Sequence, residues 1–127
     1  MKKINMVDLN GQYRKIRWQV NREIKKVINT SSFVNGPIVK EFQNNLQEYL
    51  GVKHVIPCAN GTDALQIALM ALDLKIGDEV ITTNFSFAST IEVILLLGLK
   101  PVVIDIDPRT FNINPDLIQD KISNKTK

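Results

Sequence analysis

The sequence predicts an α/β fold in which short parallel strands alternate with helices, and three observations carry the prediction. From residue 53 onward, brief β-branched apolar runs alternate with longer helical ones. The run Pro101-Val-Val-Ile-Asp105 is apolar up to its last residue, as expected of a parallel strand covered on both faces. The links between runs are compact and built from Asn, Gly, Thr and Ser, the residue types that turn a strand into a helix, and right-handed crossovers are expected.

Taken in order, residues 12–28 set Ile16, Val20, Ile24, Val27 and Ile28 on one stripe, with Arg14, Arg17, Arg22, Lys25 and Lys26 largely elsewhere, so a helix is predicted. The segment Asn29-Thr-Ser-Ser-Phe-Val-Asn-Gly-Pro37 breaks that pattern. Pro37 suits a first helical turn and opens a second helix over 37–50, in which Val39, Phe42, Leu46 and Leu50 share a face and Gly51 ends the run. Strands are expected at 53–58, 79–82 and 101–106, and helices at 62–73, 86–97 and 115–122. The helix 62–73 is apolar nearly all round and should be buried on most sides. Cys58 is expected to pack as a small buried residue, His54 to lie at the surface, and Trp18 to contribute packing.

Composition excludes several classes. The net charge is +3, but the sixteen Lys and Arg are scattered among Asp and Glu, as on solvated helix faces and unlike a nucleic-acid stripe. One cysteine allows no intramolecular disulfide, and one histidine leaves no His/Cys metal cluster. The N-terminus has two lysines without a following apolar run, so it does not read as a signal peptide, and the longest apolar run, Val93–Leu97, is far too short for a bilayer. A cytoplasmic setting is the default, with neither nucleic acid nor membrane as partner.

The link Asn60-Gly61-Thr62-Asp63 lies where an α/β sheet collects ligands, beyond a strand's carboxyl end and at a helix start. Free amides and a partial positive charge there suit a phosphate. Gly61 admits close approach or a positive φ, Thr62 adds a hydroxyl, and the amides of Thr62, Asp63 and Ala64 would line the cradle, with the Asp63 carboxylate turned away. On composition alone the plainer reading, a helix cap by Asn60 or Thr62 with no ligand, ranks first. The second link, Ile81-Thr-Thr-Asn-Phe-Ser-Phe-Ala-Ser-Thr90, sets Phe87 at an equivalent place, where an aromatic could stack on a flat ring. There one of Phe85 and Phe87 reads as core, and Ser86, Ser89 and Thr90 read as caps. Asp105 and Asp107 flank Ile106 before Pro108, where turn chemistry is the simplest role.

The stretches VDLNGQY, FVNGPIVKEFQNNLQEYLGVKHVIPCANGTDALQIALMAL, GDEVIT, FSFAST, LLGLKPVVIDIDPRTFNINPDLI and ISNKTK together resemble the N-terminal part of the DegT/DnrJ/EryC1/StrS aminotransferases, in order and with family-like spacing. The resemblance implies the pyridoxal-phosphate-dependent aspartate-aminotransferase fold (type I), with residues 1–52 a leading helical segment and 53–127 the first part of the cofactor domain. It implies pyridoxal 5'-phosphate as cofactor, held by Gly61, Thr62 and Asp63, with Phe87 stacked on its ring and Thr90 a weaker contact. Phe33, Asn35 and Gly36 fall on the substrate side. The implied reaction moves an amino group from a donor, glutamate, to a nucleotide-linked keto-sugar, most like members acting at C3 of UDP-linked sugars, for surface polysaccharide. Such enzymes are homodimers. The lysine that joins the cofactor and the aspartate that pairs with its pyridine nitrogen are expected beyond Lys127, so the 127 residues alone are expected to be inactive. The rival expectation is a non-catalytic phosphate-binding module or a regulatory remnant of the family.

Overall fold

The computed structural model describes residues 6–127. The chain divides into two compact units, Met1–Pro57 and Cys58–Lys127. The first holds two helices. Helix α1 (Leu9–Thr30) starts where the Asp8 carboxylate accepts the Gly11 amide at 2.9 Å and ends at Ser31 in the left-handed region. It outruns the apolar stripe at both ends, because a cap and not the last apolar residue sets a helix limit. Helix α2 (Pro37–Leu50) begins with proline in its first turn and closes on Gly51 at φ 65, as expected. The α1 stripe is only partly covered: Val20 and Val27 are half-buried while Ile16, Ile24 and Ile28 are exposed. Trp18 is 81% exposed, so its expected packing role is not realised.

The second unit carries helix α3 (Gly61–Ala71), strand β1 (Glu79–Thr83), helix α4 (Ser89–Leu96) and strand β2 (Lys100–Ile104). The strands pair in parallel, with Glu79 opposite Lys100 and Thr83 opposite Ile104. Parallel pairing forces a crossover, and α4 is that crossover. It packs on both strands and on α3, and the core lies beneath it: Val93, Ile94, Leu99 and Ile104 are all at most 5% exposed.

Four expectations need correction. Residues 53–58 form no strand: among the described residues the sheet consists of β1 and β2, and this segment makes no ladder with either. The run 115–122 is not one helix but two 3₁₀ turns, Pro115–Leu117 and Gln119–Lys121, closed by bonds such as Lys121 N–H to Ile118 C=O at 2.9 Å. Helix α3 is not buried: Leu65, Ile67, Met70 and Leu72 are between 42% and 65% exposed, and α4 is its main packing partner. Val103 is likewise 43% exposed, so β2 is parallel without being covered on both faces.

The one buried charged side chain among the described residues is Glu79, 8% exposed. Its carboxylate accepts from Ser123 Oγ and from Lys100 Nζ at 2.9 Å, while its backbone bonds Lys125 and Lys127. The Ser123 hydroxyl first, and then the Lys100 ammonium, hold its pKa below the ordinary 4.5. A folded-state pKa below the unfolded one gives stability that is present above about 4.5 and lost as pH falls through the folded value. In the intact gene product, Glu79→Ala should therefore loosen the segment Ser123–Lys127, read as faster hydrogen exchange, relative to the intrinsic rate, at the Glu79 and Lys127 amides. Acidification below 4.5 should do the same to the wild type and change the variant little.

Candidate functional site

The α3 start is built by Asn60. Its extended backbone (φ −162, ψ 175) lets its side-chain carbonyl accept the Asp63 amide at 3.0 Å, and its backbone carbonyl accepts the Ala64 amide at 3.1 Å. Asn60 Nδ2 donates to Asp63 Oδ2 at 3.1 Å, which ties that carboxylate down beside the cap. The amides of Asp63 and Ala64 are thus committed to Asn60, which corrects the expectation that they line a cradle together with Thr62. The amides of Gly61 and Thr62 have no acceptor among the described residues, and neither has the Thr62 hydroxyl. Two adjacent donors at the positive end of a helix remain to be satisfied.

Gly61 does not use a positive φ; its value lies in space. A Cβ built on it would meet nothing within 4 Å, so the backbone edge beside the two free amides stands open. The arrangement fits a phosphate on these grounds: uncommitted donors, no side chain in front of them, and the one nearby carboxylate held by an amide. Cys58, expected to be buried, is exposed, with its thiol 3.5 Å from the Asn60 carbonyl. His54 is exposed, as expected.

The second link lies at the same end of this unit. Leu69 and Met70 of the last turn of α3 line a hollow of about 200 Å³ with Leu97 and Leu99, just past α4. The two helices therefore pack with their C-terminal ends together, which brings Asn60–Thr62 and Ser86–Thr90 to the opposite end. Phe87 is 78% exposed beside the first turn of α4, whose Thr90 amide bonds the Phe87 carbonyl at 3.1 Å. Thr90 Oγ1 lies 3.1 Å from Ser86 Oγ, so its hydroxyl has a local partner. Phe33, Asn35 and Gly36 belong to the other unit. There Phe33 is exposed, Asn35 has φ 49, and Gly36 is buried as the α2 N-cap, where a Cβ would strike the Ser32 carbonyl. A hollow of about 790 Å³ is a trough along α1 beside Arg17, Trp18 and Arg22, lined by one helix alone.

One pairing escaped the sequence reading. Phe85, just after β1, meets Phe111 with ring centroids 5.8 Å apart and planes 28° apart. Phe111 is in the left-handed region at φ 58, at the end of a turn organised by Asp107. Asp107 Oδ1 accepts the Arg109 amide at 2.8 Å, the Asp107 carbonyl accepts the Phe111 amide at 2.8 Å, and Ile106 bridges Ile113 beyond. Hydrogen bonds from the Arg109 side chain and then its amide hold the Asp107 carboxyl below its ordinary value. This is the turn chemistry expected of Asp107. A left-handed non-glycine residue costs of the order of 1–3 kcal/mol, and an aromatic pair returns about 0.5–1.5 kcal/mol. The two effects are comparable, so the stack is a large part of what sustains the strained turn.

A helix start with open amides at the end of an α/β unit is a place where phosphorylated ligands are commonly seated, and comparison with known proteins gives the family. The sequence matches the model of the DegT/DnrJ/EryC1/StrS aminotransferase family over residues 14–127. The chain belongs to that family. It is 44% identical over 124 residues to a UDP-2-acetamido-2-deoxy-3-oxo-D-glucuronate aminotransferase of Pseudomonas aeruginosa, covering 98% of this chain and 34% of that protein. It is 42% identical over 124 residues to a pleiotropic regulatory protein of Geobacillus stearothermophilus, covering 98% of this chain and 33% of that one. The crystal structure of NtdA from Bacillus subtilis with bound cofactor PMP superposes with a TM-score of 0.87 at 35% identity, over 99% of this chain and 30% of that one. The fold is thus the N-terminal part of the aminotransferase fold, and the chain spans about a third of the length of these relatives. Solved family structures carry pyridoxal phosphate or PMP.

Because the Asn60 side chain caps α3 through the Asp63 amide, Asn60→Ala should cost about 1 kcal/mol in chemical denaturation. Asn60→Ser, which keeps a capping oxygen, should recover most of that loss.

Proposed function

We propose that these 127 residues are the N-terminal part of a pyridoxal-phosphate-dependent aminotransferase. The intact protein would pass an amino group from glutamate to a nucleotide-linked keto-sugar, the first choice being a UDP-linked 3-keto sugar made into an amino sugar for surface polysaccharide. The observation that carries this reading is the open α3 start, where the Gly61 and Thr62 amides lack acceptors and no atom lies within 4 Å of a Cβ on Gly61. Identity of 44% to an enzyme named for a UDP-linked 3-oxo sugar supports the choice of substrate.

In this reading residues 53–127 begin the cofactor domain. Gly61 and Thr62 bind the phosphate through their amides and the Thr62 hydroxyl. Asp63 serves the site by its bond to Asn60. Phe87 covers one face of the cofactor ring, and Thr90 lines the same pocket through its Ser86-bonded hydroxyl. Phe33, Asn35 and Gly36 contact the sugar substrate. When bound, pyridoxal phosphate supplies the electron sink that lets an amino group leave one carbon and enter another. The lysine and aspartate for that chemistry are assigned to sequence beyond Lys127. The protein acts as a cytoplasmic homodimer, and the apolar surface left open on α3 supports a need for further cover.

A regulatory reading has one specific support, the 42% identity to a pleiotropic regulatory protein. An amination assay on the intact gene product separates the two. UDP-linked 3-keto sugar, dTDP- and GDP-linked keto-sugars are each offered with glutamate. Turnover of the UDP compound is expected, and cofactor binding without turnover of any of them would favour the regulator. Borohydride reduction should fix cofactor to no lysine among residues 1–127; a stoichiometric label there would overturn the division of labour.

Gly61→Ala gives a sharper test of the phosphate contact. With nothing near the new methyl, stability should change by less than about 0.5 kcal/mol. Affinity for pyridoxal phosphate, by titration of its visible absorption, should nevertheless fall about tenfold, the equivalent of about 1.4 kcal/mol and the size of one charge-assisted hydrogen bond.

A further inference from the structure

We propose that Phe111 is a positioning residue, which holds Phe85 by ring stacking and thereby fixes the loop that presents Phe87 beside the phosphate-binding helix start. The proposal rests on the reading of Phe87 as the residue that covers the cofactor ring.

Phe85 and Phe111 come from different loops, one after β1 and one after β2, and both are about 60% exposed. Burial therefore does not explain why they meet. Their centroid separation of 5.8 Å and 28° tilt are those of an offset aromatic pair. Phe111 reaches Phe85 from a backbone at φ 58, a region that L residues adopt rarely and aromatic residues have no local reason to prefer. Asp107 holds the turn from below, through its carbonyl to the Phe111 amide and its carboxylate to Arg109. Strain at an exposed position persists when the surroundings over-determine it.

The Phe85 side of the contact is otherwise lightly tethered. Its amide donates to Thr83 Oγ1 at 3.2 Å, and the next fixed points all belong to the α4 start: Ser86 Oγ, 3.1 Å from Thr90 Oγ1, and the Thr90 and Ile91 amides, on the Phe87 and Ala88 carbonyls at 3.1 Å. The Ala88 cap of α4 makes no side-chain hydrogen bond. Phe87 therefore sits between two anchors, the α4 first turn behind it and the Phe85–Phe111 stack in front. Removing the second leaves the loop held from the α4 side alone, and an aromatic that must lie flat against another ring loses by the added freedom.

The test uses the intact gene product. Phe111→Asn deletes the ring but keeps a side chain that tolerates the left-handed region, Phe111→Tyr keeps the ring, and Phe85→Leu breaks the stack from the other side without touching the turn. Hydrogen exchange is measured without cofactor at the Phe85 and Thr90 amides, with strand amides of β1 and β2 as controls. Expected are at least threefold faster exchange in Phe111→Asn and Phe85→Leu, wild-type exchange in Phe111→Tyr, and unchanged strands. With pyridoxal phosphate added, the visible circular dichroism of the bound cofactor should weaken in the same two variants and recover in Phe111→Tyr. Unchanged exchange in both ring-deleted variants, or a Phe111→Tyr variant as loose as Phe111→Asn, overturns the proposal. Should the wild type bind no pyridoxal phosphate, the cofactor reading fails, while the exchange measurement still decides the clamp.

Discussion

Parallel pairing of Glu79–Thr83 with Lys100–Ile104 is the constraint from which the rest of this architecture follows. Two parallel neighbours cannot be joined by a hairpin, so the chain must travel back along the full length of a strand between them. That return is α4, and its buried face, Ser89, Val93 and Ile94, is the lid on the small core. Because the helix runs opposite to the strands, its first turn lies beyond the strands' carboxyl ends. Helix α3 packs beside it in the same sense. The ladder thus sets two helix starts side by side at one end, and the chemistry of the site is a consequence of that placement.

The site draws on unfinished hydrogen bonding. An α-helix begins with amides that no carbonyl of its own can satisfy. The Asn60 side chain satisfies one of them, on Asp63, and it also holds the Asp63 carboxylate, which would otherwise oppose a bound anion. Gly61 keeps the remaining space clear. A cap and an anion site are therefore not rivals at this turn. The cap stiffens the turn, and the amides left over are the ones a phosphate can take.

Much of this was legible in residue types, and what was not has identifiable causes. Pro37 and Gly51 mark the α2 limits because each acts through its own backbone. The β1–α4–β2 unit was readable because apolar periodicity reports local geometry directly. The failures concern partners. A strand exists only with a neighbour, and 53–58 has the composition without the ladder. Burial of α3 and Cys58 depends on what covers them, which apolar composition does not specify. At the site, Gly61 and Thr62 could be singled out by type, whereas the loss of the Asp63 amide to Asn60 is a matter of angles. Phe111 could not be found at all, since neither its left-handed backbone nor its stack on a residue twenty-six positions earlier leaves a mark in composition.

The surface left open bears on how such a chain can be stable. A folded monomer of 14.4 kDa exposes about 6,800 Å², or about 8,200 Å² if the two units are counted separately, whereas this chain exposes 10849 Å². The excess includes Leu65, Ile67 and Met70 on α3, Val103 on β2 and the stacked Phe85 and Phe111. Apolar area of that extent is a liability in water and a ready surface for further protein. The polar contacts do not share this weakness. The Asn60 cap and the Asp107 turn each close within a few residues, the Glu79 cluster joins β1 to Lys100 and Ser123, and among the described residues no buried side-chain polar atom lacks a partner. Local hydrogen bonding thus sets the Asn60 turn and the Asp107 turn through contacts made among neighbouring residues, where exposed apolar surface has no part.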